Sequence, residues 1–186
     1  RICKIDASGN LVLVAGGNGG SFSGDGGPAT AARFSSPQGI AFDASGNLYI
    51  ADEYNNRIRM VDTAGNISTV VGSGLTGIQT GDKNGFLGDG NLATEAGLSQ
   101  PTDVALGAAG EVYIADSEHN RVRIVDAGGI MDTYLGDGTR GGWFITPYAI
   151  SEAGALSYDA LHYDAATNML YVADNTQHQV HKVDVA

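Results

Sequence analysis

Three aspartates stand at the same place in a recurring pattern, and they are the first residues here that could do chemistry. Asp52 follows Leu48-Tyr49-Ile50-Ala51, Asp116 follows Val112-Tyr113-Ile114-Ala115, and Asp174 follows Tyr171-Val172-Ala173. A carboxylate can act as a general base or hold a metal. Recurrence argues for a plainer role, because a catalytic group is needed once whereas a loop cap is needed in every repeat. Each aspartate is therefore expected to end a strand and cap the loop after it by side-chain to backbone hydrogen bonds. Arg57 and Arg121 recur in step. They are expected to pair with acids or carbonyls between repeats, since a partly buried guanidinium needs its donors satisfied.

Metal chemistry has two candidate sources. Gly24-Asp25-Gly26 and Gly88-Asp89-Gly90 carry the carboxylate and backbone oxygens that Ca²⁺ takes, and Asp82-Lys83-Asn84 with Asp89 is the nearest thing to a cluster. Neither loop has the alternating Asp-x-Asp-x-Asp-Gly spacing of a helix-loop-helix calcium site, and turns use the same residues structurally. Calcium is thus the one cofactor to keep in view, and no metal ligand is assigned. Four histidines remain, His119, His162, His178 and His181. His119 and His178 fall in loops of successive repeats, about one repeat apart, too far for joint coordination without loop movement. His162 lies on an inner strand and is the best single histidine for a site.

Nucleophilic chemistry has less support. Cys3 has no histidine near it in sequence, and no Gly-x-Ser-x-Gly elbow occurs. Gly16-Gly17-Asn18-Gly19-Gly20 lacks the Lys-Ser/Thr ending of a phosphate loop. No catalytic residue is assigned.

The elements that must position these residues are set by self-similarity. Pro37 to Pro101, Asp52 to Asp116 and Asp62 to Asp126 are each 64 residues apart, and Asp116 to Asp174 is 58. Within 38–71, apolar runs Ile40-Ala41-Phe42, Leu48-Tyr49-Ile50-Ala51, Ile58-Arg59-Met60-Val61 and Ile67-Ser68-Thr69-Val70-Val71 are separated by turn clusters such as Asp43-Ala44-Ser45-Gly46-Asn47. That pattern predicts a four-stranded antiparallel meander. Strands apolar on both faces predict that each sheet is sandwiched between two others, and radial stacking of such sheets is a β-propeller. Numbering the strands A to D outward puts the B–C loops on one rim, and the long interblade loops 15–36, 72–100 and 136–156 are expected on that same rim. The expected parts are the end of one blade (1–14), two blades (38–71 and 102–134) and an incomplete blade (156–184), so that 1–186 is a partial propeller.

Composition agrees and excludes some functions. Twenty-eight glycines and four prolines suit many tight turns. A net charge of −11, from 21 acids and 10 bases, repels a phosphate backbone, so nucleic acid is excluded as a partner. No apolar run approaches a membrane span, which excludes insertion by a helix. One cysteine cannot form an internal disulfide, leaving the redox compartment open.

The repeats resemble NHL repeats. Residues 37–62 follow Pro-x-Gly-apolar-Ala-x-Asp, then Gly-Asn-Leu-Tyr-Ile-Ala-Asp, then Asn-Arg-Ile-Arg-x-Val-Asp, and 101–126 match with Asp103 in place of the glycine. The segment Gly24 to Phe34 resembles a loop common in extracellular bacterial members and recurs loosely at 88–98. The third copy departs, with Tyr158 where proline is expected and Gln179 and His181 replacing the two arginines. The resemblance implies six-bladed rings that serve chiefly as binding platforms, with a minority of enzymes. Related lyases hold a metal with channel histidines, but the positions matching His162 are Ala41 and Ala105.

These readings converge on a non-catalytic extracellular, periplasmic or cell-envelope module that binds a protein, peptide or glycan through one acidic rim. The candidate contact residues are Glu53, Tyr54, Glu118 and His119 on the B–C loops, with Trp143 either a stacking surface or an apolar plug. The alternatives are a lyase or hydrolase with a channel site, and a subunit that assembles through open blade faces. Four partial or whole blades fall short of a ring. The chain is therefore expected to be completed by the rest of its own propeller, by a second copy, or by a filament.

Overall fold

The computed structural model describes residues 1–17, 19–75, 88–136, 138, 158–175 and 178–185. The chain is all-β, built from antiparallel sheets of the propeller type. Strands β1 (Ile2–Ile5) and β2 (Leu11–Ala15) form a hairpin. Strands β3 (Pro37–Phe42), β4 (Leu48–Asp52), β5 (Arg57–Val61) and β6 (Ile67–Val71) form a four-stranded sheet in chain order. A short strand β7 (Asn91–Leu92) precedes β8 (Pro101–Leu106), β9 (Val112–Asp116), β10 (Arg121–Val125) and β11 (Ile130–Leu135). The last sheet holds β12 (Tyr158–Asp164), β13 (Met169–Asp174) and β14 (Gln179–Asp184).

Local chemistry explains the hairpins. In the β3–β4 turn the Asp43 carboxylate accepts from the Ser45 and Asn47 amides at 2.9 and 2.8 Å, and Gly46 takes the left-handed φ of +87° that closes the turn. Asp126 does the same with Gly128 and Ile130 at 2.8 and 2.9 Å, with Gly129 at +79°. Such turns fix register, so the alternating apolar residues fall on the faces between sheets.

The core lies between successive sheets. Ala51, Ile58 and Val71 pack with Val104, Val112, Ile114, Val125 and Met131 of the next sheet, and Ala96 and Leu98 fill the outer part. Ala115, Val122 and Leu135 then meet Leu161, Leu170, Val172 and Val183. All of β9 is buried, as a strand sandwiched on both sides must be.

Two expectations need correction. The third sheet has five strands, because β7 pairs with the outer strand β11 (Ile130 opposite Leu92, Met131 opposite Asn91). The interblade segments also leave the rim of the B–C loops. Gly26 donates to the Ile67 carbonyl and Ala29 to Gly65 at the C–D turn, and Ala93 likewise donates to Gly129, each at 2.8 or 2.9 Å. An outermost strand otherwise presents unpaired backbone groups, and these segments cover that edge.

Candidate functional site

The rim turns are built the same way in two blades. After β4, Glu53–Asn55 forms a 3₁₀ turn ending at Asn56, whose φ of +53° is left-handed; after β9, Ser117–His119 does so and ends at Asn120, also at +53°. Asparagine tolerates this conformation better than most residues. In the third blade His178 takes the corresponding place at φ +56°, so it matches Asn120 rather than His119.

Beneath each turn lies a fully buried aspartate. Asp52 Oδ1 accepts from the Ser35 amide at 2.8 Å and Oδ2 from the Asn55 side chain at 2.8 Å. Asp116 Oδ1 accepts from the Ser99 amide at 2.7 Å, and its Oδ2 lies 2.8 Å from His119 Nδ1. The aspartates therefore grip the incoming interblade segment as well as the turn, which corrects the simpler capping role. The turn amides finish the clamp, with Tyr54 donating to Ser35 and Glu118 to Ser99, both at 3.1 Å.

In the two complete blades the second arginine, Arg59 or Arg123, is the fully buried one, rather than Arg57 or Arg121. Arg59 is fully buried; it reaches Asp52 Oδ2 at 3.4 Å and the Ser23 carbonyl at 3.2 Å, and pairs with Asp25 of the interblade segment. Arg123 repeats this with Asp116 at 3.5 Å and Asp89 at 2.8 Å. The spacing was legible, since Asp25 to Arg59 and Asp89 to Arg123 are each 34 residues. The calcium candidate Asp89 thus has a carboxylate held by Arg123, while Asp82, Lys83 and Asn84 lie outside the described residues. Among the described residues no group of three or more His, Cys, Asp or Glu could hold a metal. Arg57 instead donates to the Asn55 and Ser73 carbonyls at 2.9 and 2.7 Å and lies 3.7 Å from the Phe22 ring centre.

The predicted contact residues separate into two groups. Tyr54 and Glu118 occupy the same position of successive turns, and both are exposed. Glu53 is buried, its Oε2 accepting from Ser36 Oγ at 2.7 Å and Gln38 Nε2 at 2.9 Å. His119 is buried against Asp116, where it replaces Asn55 of the earlier blade. Trp143 lies outside the described residues. His162 is exposed on β12 and level with Ala105 in register, since each faces the tyrosine of its own second strand.

The departure at Asp103 has a structural reason. Its Oδ2 accepts from the Leu161 amide of the next blade at 2.7 Å, and Oδ1 from its own neighbour Val104 at 2.9 Å. The carboxylate also lies over Gly39, where a side chain would collide with it. Burial pushes the Asp103 carboxyl up from the ordinary carboxylate range.

Comparison with known proteins agrees with this construction. Residues 12–81 match the teneurin NHL domain, and residues 98–125 match the NHL repeat. Human teneurin-4 is 39% identical over 99 residues, covering 50% of this chain and 4% of that protein. Human NHL repeat-containing protein 2 is 32% identical over 98 residues, covering 51% of this chain and 12% of that protein. The chain therefore spans a small part of the length of these relatives. A structural genomics protein of unknown function from Bacteroides thetaiotaomicron superposes with a TM-score of 0.65 at 18% identity, covering 95% of this chain and 40% of that one. With its repeated strands, buried aspartates and matching segments, the chain is an NHL-repeat protein.

Proposed function

We propose that this chain is a non-catalytic binding module that captures a protein, peptide or glycan through the rim carrying the B–C turns. The observation that carries the reading is the pairing of a rigid frame with a variable tip. In two successive blades the turn backbone is held by a buried aspartate, a left-handed asparagine and an amide to the interblade carbonyl. The tip residue between them differs, Tyr54 in one blade and Glu118 in the next. Preorganised turns lose little entropy on binding, and an exposed aromatic on one turn with a carboxylate on the next offers stacking and directed hydrogen bonds. The acidic balance favours neutral or basic ligands, and an extracellular or envelope setting belongs to the same reading. No helix among the described residues is long and apolar enough to cross a membrane.

The test pans the chain against a peptide-display library and a glycan array, then repeats capture with Tyr54→Ala and Glu118→Ala. Loss of retention at an unchanged melting temperature supports the rim as the binding surface. Retention unchanged in both variants removes the rim from contention.

A further inference from the structure

We infer that Glu53 is the centre of a subsite for an organic cation, the side chain of an arginine or lysine on the captured partner. This rests on the rim reading and narrows it to a basic peptide or protein. Glu53 is only 8% exposed, and a carboxylate that deep is normally paired. The other buried acids among the described residues obey that rule. Asp52 lies beside Arg59, Asp116 beside Arg123 and His119, and Asp174 beside His181. Glu53 has no basic side chain within ion-pair distance among the described residues. Its Oε2 accepts from two neutral donors, Ser36 Oγ at 2.7 Å and Gln38 Nε2 at 2.9 Å, which hold the carboxylate in place. Its Oε1 accepts from no described residue and is not sealed from solvent. A carboxylate offers about four acceptor positions, so half of its capacity, and all of its charge, is left for a ligand.

The following blade shows what the fold alone requires at this position. There Ser117 replaces Glu53 and Thr102 replaces Gln38. Their hydroxyls lie 2.6 Å apart, and Ser117 donates to the Tyr158 carbonyl of the blade after it at 2.5 Å. Small neutral groups suffice, so a buried carboxylate is not part of the repeat's construction. Both hydroxyls lean forward to β12, and the strand in the same place after Glu53, β8, runs against its turn without supplying a cation. The ligand must bring that charge, because a neutral group leaves the buried carboxylate uncompensated. A guanidinium or ammonium does so through charge-assisted hydrogen bonds, and the net charge of −11 draws it in. Tyr54, exposed and next in the chain, adds an aromatic ring of the kind that holds cations. A metal ion fits less well, since the Gln38 amide nitrogen is a donor and cannot ligate.

The experiment titrates the isotope-labelled full chain with acetyl-Gly-Arg-Gly-amide, and with the same peptide carrying citrulline, the neutral isostere of arginine. The Ser36 amide and the Gln38 side-chain resonances are expected to shift saturably with the arginine peptide. The citrulline peptide is expected to bind about tenfold or more weakly, the difference that a hydrogen bond to a charged group makes. Glu53→Gln keeps the shape and loses the same factor, while its urea midpoint stays level or rises because an uncompensated buried charge is gone. Glu53→Ser, which installs the residue of the following blade, is the second variant and gives the same loss. Equal binding of the two peptides overturns the proposal, as does binding untouched by either variant. So does the absence of shifts at Ser36 and Gln38, or their appearance at Glu118 alone. A urea midpoint that falls in both variants makes the carboxylate a structural part and overturns it too. The rim reading is judged apart from all of these, by capture in Tyr54→Ala and Glu118→Ala.

Discussion

Replacing Arg59 by methionine tests the buried ion network most directly. Arg59 is fully buried between Asp52, also fully buried, and Asp25, whose side chain is 34% exposed. Methionine fills much of the same volume but leaves Asp52 without its cation. Breaking a buried pair from one side costs about 3–5 kcal/mol, because the remaining charge is left desolvated. The half-exposed Asp25 contact adds at most about 1 kcal/mol, since solvent screens it. Against a domain stability of about 5–15 kcal/mol, the loss is large. With a urea slope of about 2 kcal/mol per molar, the midpoint moves down by about 1.5–2.5 M. The assay is urea unfolding followed by both circular dichroism and tyrosine fluorescence, since coincident curves justify the two-state treatment. Arg59→Met combined with Asp52→Asn removes the stranded charge and recovers part of the loss. A midpoint for Arg59→Met within about 0.3 M of the parent, an effect of the size expected at an ordinary surface site, refutes the reasoning.

Gly39→Ala places a methyl group against the Asp103 carboxylate and Cα and is expected to cost about 1–3 kcal/mol, with partial recovery when Asp103→Gly is added, as measured by the unfolding midpoint. Burial raises the Asp103 pKa in the folded chain above its unfolded value near 3.8, so this group's contribution is fully present below that value and is lost as pH rises through the folded pKa. Melting temperature measured against pH should therefore show Asp103→Asn improving relative to the parent as pH rises from about 4 to 7; a gap that narrows over that window contradicts the assignment.

The architecture was legible because a propeller's strands and turns are local. Asp43, Asp62 and Asp126 sit at turn positions whose chemistry depends on the next four residues, and apolar alternation does the rest. The candidate site was legible only in part. Tyr54 and Glu118 read from the sequence as loop residues beside a recurring aspartate. The repeat register separates Glu53, one residue after its aspartate, from Glu118, two residues after; only the fold shows that the first position folds inward, Glu53 to Ser36 and Gln38, while the second stays outside. Burial is decided by what crosses above a residue, and the interblade chain that does so is 17 residues away in sequence. Arg59 and Arg123 are buried by partners farther still, the aspartates of the interblade segments 34 residues away.

By itself the sequence determined the repeat, the order of the four repeating strands, the turn chemistry and the sign of the surface charge, while the fifth strand β7 came from the structure. Each depends on residue type and short-range spacing, which any fold built from the chain must respect. Only the tertiary structure decided where the interblade segments run, which arginine is buried, which rim residues remain exposed and why Asp103 requires Gly39 beside it. Those outcomes follow from contacts between chain segments tens of residues apart. Close packing and the cost of an unpaired buried charge select among arrangements that local spacing leaves equivalent.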